Sequence, residues 1–203
     1  MKQFNIIICG VGGTGVIGMG EMLRKAAMLE GNRVLGAESR GSGQRGGPAT
    51  ASVRFTSSNG NEAYNDRSAL WTGSVGVGSA DLMIATEIAE ALRNAHYLCE
   101  DSKVLLNNFK LFPKQTRKEM KAGTLAYPSN DQVVAMLQEL TPHVELVEAS
   151  ELSMKHFGTY RMTNPILVGM SLARGMLPLK KESVGRLMKG AALDALELGF
   201  HPE

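Results

Sequence analysis

Cysteine is scarce in this chain: Cys9 and Cys99 are the two among 203 residues, and they form no Cys-x-x-Cys. That excludes a four-cysteine iron–sulfur or zinc site built by this chain alone. Charge imbalance is also missing. Lys and Arg total 22 against 20 Asp and Glu, and a net charge of +2 is too small to indicate nucleic acid or a membrane surface as a partner. No apolar run approaches the roughly 20 residues of a membrane span. Met1-Lys2-Gln3-Phe4 leads straight into a strand pattern rather than a leader peptide, so a cytoplasmic protein is expected. The four histidines, His96, His143, His156 and His201, have no metal-ligand spacing, and Ser39, Ser42 and Ser52 lie in no Gly-x-Ser-x-Gly elbow. Paired carboxylates in an obvious site are absent too, so no catalytic residue and no metal ligand stands out. No internal repeat or low-complexity tract is present.

What is present suits one globular domain. The length allows a sizeable core, and 43% hydrophobic with 21% charged residues is ordinary for a folded protein. Twelve methionines scatter over several expected helices, as gap-fillers of a core or as adaptable subunit contacts.

The organising stretch is Ile6-Ile7-Ile8-Cys9-Gly10-Val11-Gly12-Gly13-Thr14-Gly15. An apolar run of this kind fits a strand buried on both faces. The pattern Val16, Met19, Leu23, Ala26 and Ala27, closed by Gly31, fits the helix that follows. Strand, Gly-x-Gly-x-x-Gly, helix is the setting of the dinucleotide fingerprint, in which the glycines allow the turn, the approach of a phosphate, and close helix packing. Free N–H groups at the helix start attract an anion. Gly10, Gly12, Gly13 and Gly15 are therefore candidate binding residues. Glu38 stands near the place of the ribose-binding acid, but a glycine–arginine segment follows it instead of a short turn into a second helix. That segment competes for the ribose site, so the glycines serve close packing more than nucleotide binding. No Lys-Ser or Lys-Thr pair follows the glycines, which excludes a P-loop.

A second strand is expected over Arg33 to Ala37. Glu38 to Pro48 holds five glycines or prolines among eleven residues, too many for a regular element. Ala51, Val53 and Phe55 alternate with Thr50, Ser52 and Arg54, which predicts a half-exposed, antiparallel strand in a mixed sheet. Residues 56–79 read as an excursion anchored by Trp71. Leu82 to Ala85 is a buried strand, with Thr86 capping a helix over Glu87 to Asn94. Val104 to Leu106 is the next strand. A segment containing Phe109, Phe112 and Pro113 follows, then a short strand near Leu125-Ala126-Tyr127. Ser129-Asn130-Asp131-Gln132 has capping-box spacing and opens a helix through Leu140. Val144 to Val147 is the last strand. Asn164-Pro165 reads as an N-cap and first helical residue, closed by Gly175 and Pro178, and a final helix over Lys181 to Leu198 stacks Val184, Leu187, Met188, Ala191, Ala195 and Leu198. The alternation predicts an α/β fold: a doubly wound, Rossmann-like, mostly parallel sheet with an antiparallel strand, in one domain spanning 1–203.

The glycine–arginine loop is the strongest remaining site. Arg40, Gln44 and Arg45 sit among Gly41, Gly43, Gly46 and Gly47, a backbone able to turn several N–H groups toward one anion, with arginine forks suited to phosphate or carboxylate. A solvated surface loop is the plain alternative. One Arg-Gly-Gly without aromatic neighbours or repeats does not make an RNA-binding tail.

The N-terminal glycine stretch, together with Glu38 to Phe55 centred on Gln44-Arg45-Gly46-Gly47, resembles the small subunit of 2-oxoacid:ferredoxin oxidoreductases. Ala80 to Glu87, Asn164 ahead of Ile166 to Met170, and the C-terminal helix extend the resemblance over nearly the whole chain, as a pyruvate/ketoisovalerate oxidoreductase gamma-type domain. Gln-Arg-Gly-Gly, where pyruvate and 2-oxoglutarate enzymes more usually carry Met-Arg-Gly-Gly, is similar to the indolepyruvate enzyme's beta subunit. Ser39 to Gly43 departs from the commoner wording of this loop. The resemblance implies a complex that oxidatively decarboxylates a 2-oxoacid to an acyl-coenzyme A and passes electrons to ferredoxin. It implies that thiamine diphosphate and iron–sulfur clusters belong to larger partner subunits, and that this chain binds no cofactor of its own, completes the assembly and helps receive coenzyme A. The isolated chain is then expected to be inactive. A free-standing NAD-dependent oxidoreductase and a non-enzymatic assembly module of the same fold are the alternatives.

Overall fold

A computed structural model of the chain describes residues 2–41, 46–57, 70–111, 119, 121–123 and 126–201. Strand β1 (Lys2–Val11) runs into helix α1 (Val16–Leu29), and β2 (Arg33–Arg40) and β3 (Pro48–Ser57) follow. Then come β4 (Leu82–Ala85), α2 (Ile88–Arg93), β5 (Lys103–Asn107), α3 (Asn130–Gln138) and β6 (Val144–Val147). Four helices end the chain: α4 (Ala149–Phe157), α5 (Thr163–Ala173), α6 (Lys181–Gly185) and α7 (Ala191–Phe200).

The strands form one six-stranded sheet in the order β2-β3-β1-β4-β5-β6. β3 is antiparallel to both neighbours, with Ile6 opposite Val53 in β1 and Gly36 opposite Val53 in β2, while β1, β4, β5 and β6 are parallel. The expected mixed, doubly wound α/β sheet is what forms. Successive side chains of a strand face opposite sides. Ile6 and Ile8 accordingly join a core with α1, α4, α5 and α7, whereas Ile7 and Cys9 join a core on the other face with α2 and α3. Both faces are covered, so the unbroken apolar run of β1 is fully used. Burial of each isoleucine contributes roughly 1.5–3 kcal/mol.

Most expected elements fall where the pattern puts them, including the stripe of α1 with Gly31 at φ 78° just past its end and the Ser129–Gln132 capping box. Several differ. β2 continues to Arg40 because its ladder with β3 runs on to the Arg40–Ala49 pair. Glu87, not Thr86, caps α2, its carboxylate accepting the Glu90 N–H at 3.0 Å. Met162 precedes α5, which places Asn164 inside the first turn rather than at its cap. The final helix is broken into α6, which ends at Gly185, and α7, which opens after Gly190, whose φ 53° and ψ −137° a helix cannot hold. Trp71 is 76% exposed and so does not anchor its segment; among the described residues Leu70 and Val75 are its buried apolar side chains. Ala126 and Tyr127 are irregular rather than a strand, and Leu125, Phe112 and Pro113 lie outside the described residues. Among the described residues no helix is long and apolar enough to cross a membrane.

Candidate functional site

α1 leaves β1 on one face of the sheet and α2 leaves β4 on the other. Where adjacent parallel strands send their connections to opposite faces, a crevice opens at their carboxyl ends, the usual ligand position in such folds. Here it lies between Gly12–Gly15 and Thr86. Thr86 N donates to Cys9 O at 2.9 Å, fixing the end of β4 against β1. Thr14 Oγ1 donates to Val11 O at 2.8 Å and lies 3.1 Å from Thr86 Oγ1, so the two hydroxyls bridge the crevice.

Two glycines of the motif are explained by packing. A Cβ on Gly10 would collide with Thr86 Oγ1 and stand 3.0 Å from Val16 Cγ2. Gly15 has φ 83°, and a Cβ there would stand 2.5 Å from Asn164 Nδ2. That amide instead donates to Thr14 O at 2.8 Å, tying α5 to the glycine turn across 150 residues of sequence.

On the α5 side of Gly13 and Thr14 lies a cavity of about 450 Å³. Its floor is polar and uncharged: Thr14, Thr86, Ser150, Thr163 and Asn164. Asn107 orders that floor, donating from Nδ2 to Thr86 O at 3.1 Å and to Ser150 Oγ at 2.8 Å, and accepting Ser150 N at 3.1 Å. Phe109, Leu111 and Tyr160 supply apolar wall, with the Phe109 and Tyr160 ring centroids 5.2 Å apart, and Arg161 is the charged lining residue among those described.

On the other side of the glycine turn a hollow of about 290 Å³ is lined by Gly12, Gly13, Gly15, Val16, Arg40 and Pro48. The start of α1 opens here without a side-chain cap and without an acidic residue in its first turn. Its first N–H groups lack intrahelical partners and carry the positive end of the helix dipole, so an anion is favoured. Gly12 N donates to Gly47 O at 2.7 Å and Gly46 N to Gly12 O at 3.0 Å, which pins the end of the arginine loop to the glycine turn. The structure thus brings together Gly10, Gly12, Gly13, Gly15, Arg40, Gly46 and Gly47. Gln44 and Arg45 lie outside the described residues.

Glu38 is engaged elsewhere. Its carboxylate accepts from Arg24 at 2.8 Å and from Arg40 at 3.1 Å, and the Arg24 bond in particular holds its carboxyl below the usual range. β3 stands between its strand and β1. Burial pushes the Cys9 thiol well up, with Glu90 and Glu87 adding to it, so Cys9 is a packed thiol rather than a reactive thiolate. Cys99 sits in the turn with Ser102, its sulfur 3.4 Å from Ser102 Oγ. These two cysteines do not fit an iron–sulfur cluster, and among the described residues no group of three or more His, Cys, Asp or Glu could hold a metal ion.

Phe109, Ser150, Tyr160, Arg161 and Thr163 were not singled out by sequence reasoning. They come from three separate stretches, near 109, 150 and 160–163, and no local pattern announces their convergence. Asn164 carried a signal, though for a different role.

A Rossmann-like domain with one inserted antiparallel strand and a two-sided crevice about its glycine turn is the class that fold and site define. The pyruvate ferredoxin/flavodoxin oxidoreductase family matches residues 5–193. The chain is 34% identical over 207 residues to the indolepyruvate oxidoreductase subunit IorB of Archaeoglobus fulgidus, covering 98% of this chain and 94% of that one. It is 30% identical to the subunit of the same name from Thermococcus kodakarensis, covering 93% and 86%. Among solved structures, a 2-oxoglutarate:ferredoxin oxidoreductase from Magnetococcus marinus with 2-oxoglutarate, coenzyme A and succinyl-CoA bound matches with a TM-score of 0.68 at 15% identity, over 98% of this chain and 30% of that one. The keto/oxoacid ferredoxin oxidoreductase gamma subunit from Geobacter sulfurreducens matches with a TM-score of 0.62 at 17% identity, over 97% and 96%. The chain belongs to the pyruvate ferredoxin/flavodoxin oxidoreductase family, as a subunit of a 2-oxoacid:ferredoxin oxidoreductase.

Proposed function

We propose that this chain is the coenzyme A-receiving small subunit of a cytoplasmic complex that oxidatively decarboxylates an arylpyruvate such as indolepyruvate to an acyl-coenzyme A and passes the electrons to ferredoxin. Thiamine diphosphate and the iron–sulfur clusters belong to larger partner subunits in this reading, and residues 1–203 act as one gamma-type domain. The indolepyruvate preference draws on the names of its relatives, and coenzyme A on the ligand of a protein that shares its fold.

The observation that carries the reading is the uncapped start of α1 facing Arg40 beside the pinned end of the arginine loop. Coenzyme A is rich in phosphate, and its phosphates would meet the α1 N–H groups and the forks of Arg40 and Arg45, with Gln44 and the glycines Gly10, Gly12, Gly13, Gly15, Gly46 and Gly47 shaping the approach. Loss of one charge-assisted contact costs about 1.5–3 kcal/mol, or roughly tenfold to a hundredfold in affinity. Arg45→Ala in the complex should raise the Michaelis constant for coenzyme A, or weaken assembly if the arginine meets a partner carboxylate. The melting temperature of the isolated chain should stay nearly unchanged. Unfolding of the isolated chain by Arg45→Ala, with rescue by lysine, would make the arginine structural and refute the assignment.

A further inference from the structure

The loop that follows β5 forms one wall of the larger cavity through Phe109 and Leu111. It is held by an unusual set of contacts around one carboxylate. Glu87 accepts the Glu90 N–H at Oε2, the phenol of Tyr127 at Oε1, and the backbone N–H of Leu111. Tyr127 Oη in turn accepts the Ala89 N–H at 3.2 Å, and Ile88 N donates to Phe109 O at 3.2 Å. The first three N–H groups of α2 are thereby taken up by the cap, the tyrosine and the wall loop. None is left to face the cavity, in contrast to the start of α1. Lys110 Nζ stands 5.4 Å from the centre of the Tyr127 ring, a further tie between the same two segments.

We infer that Glu87 and Tyr127 are positioning residues that clamp the Asn108–Leu111 wall and so set the shape of the ligand crevice. The two act through the loop and line no part of the cavity themselves. A carboxylate that is 1% exposed is a costly way to close a helix end, since burying a charge demands several compensating hydrogen bonds. An N-cap serine or threonine would satisfy the same Glu90 N–H without that cost. What the longer glutamate adds is reach, to Leu111 in the wall and to Tyr127 behind it. Phe109 touches Tyr160 across the cavity, so a shift of the clamped loop changes both apolar walls together.

The inference rests on the crevice being the coenzyme A site, and the test separates the two. Tyr127→Phe removes the phenol that joins Ala89 to Glu87. In the full chain, amide exchange at Ala89, Glu90 and Leu111 should rise roughly tenfold or more, while amides of β1 and β4 keep their protection. In the assembled complex the Michaelis constant for coenzyme A should rise by a similar factor, with kcat changed less. Glu87→Gln keeps an acceptor without the charge and should fall between wild type and Tyr127→Phe in both readouts. Unchanged exchange at Leu111 in both variants would overturn the clamp. A loosened loop with an unchanged Michaelis constant would overturn the positioning role. An unchanged Michaelis constant in Arg40→Gln and Arg45→Ala instead refutes coenzyme A at the arginine side, whatever the loop exchange shows.

Discussion

Gly15→Ala tests whether the third glycine of the motif serves packing. At φ 83° and ψ 15° an alanine sits in left-handed backbone, costing roughly 1–2 kcal/mol. Its Cβ would also stand 2.5 Å from Asn164 Nδ2, so the amide must move and its 2.8 Å bond to Thr14 O is lost, a further 0.5–1.5 kcal/mol or so. The sum is about 1.5–3.5 kcal/mol, and at roughly 2–4 °C per kcal/mol for a chain of this size the melting temperature should fall by about 3–14 °C. The assay is a thermal melt of four proteins: wild type, each single variant and Gly15→Ala with Asn164→Ala. Removing the asparagine side chain removes the clash, so in that background Gly15→Ala should cost only the backbone part. The double variant should therefore lose about 1 kcal/mol less than the sum of the two single variants. Strict additivity would place the alanine's cost in the backbone alone, and no loss of stability in Gly15→Ala would refute the packing account.

Two further expectations follow from the buried interior. Burial pushes the Glu90 carboxyl above its usual range, and Arg93 only partly offsets this; the folded chain therefore holds this proton to higher pH than the unfolded chain, and stability falls as pH rises through that window. Glu90→Gln should raise the melting temperature at pH 8 relative to pH 4, and a pH-independent difference between the two proteins would sink this. Gly169 lies where α5 crosses α7, and a Cβ there would stand 2.8 Å from Phe200 N and 2.9 Å from Gly199 C; Gly169→Ala should force the helices apart at a cost of about 1–3 kcal/mol, read as a lower denaturation midpoint.

The elements that sequence alone revealed are those whose signal is local. β1 and α1 announce themselves by an apolar run and a helical stripe because Ile6 to Val11 are buried on both faces of the sheet and α1 buries one stripe from Val16 to Ala27. The antiparallel β3 shows in its alternation, since Thr50, Ser52 and Arg54 face a different environment from Ala51, Val53 and Phe55. The misses share a cause. Asn164-Pro165 has the composition of a helix start, but Thr14 O recruits the asparagine amide from far along the chain. Thr86 looks like a cap, yet its hydroxyl is turned to Thr14 and Cys9, which leaves Glu87 to close α2. Gly190 sits within an otherwise continuous stripe, and a helical pattern tolerates an isolated glycine at a cost of about 1 kcal/mol, so the stripe alone does not show the break. The walls of the larger cavity come from segments near 109 and 160, and only the fold brings them together.

The inserted strand decides what the glycine motif can do. In a dinucleotide-binding sheet the strand beside β1 is parallel and ends in the acid that holds a ribose. Here β3 takes that place and runs antiparallel, with Pro48 and Ala49 beside the glycine turn. β2 is displaced by one strand, so its end lies roughly 10 Å from β1 at about 4.8 Å per strand. Glu38 at that end is already held by Arg24 and Arg40. The phosphate-attracting half of the motif, the open start of α1, survives this rearrangement, while the ribose-binding half does not. Among the described residues, a ligand drawn by its phosphates to α1 therefore meets toward β2 a carboxylate, Glu38, that is already engaged by Arg24 and Arg40. The polar floor of Thr86, Ser150, Thr163 and Asn164 lies on the opposite side of the same turn, and it is there that the rest of such a ligand has both room and hydrogen-bonding partners.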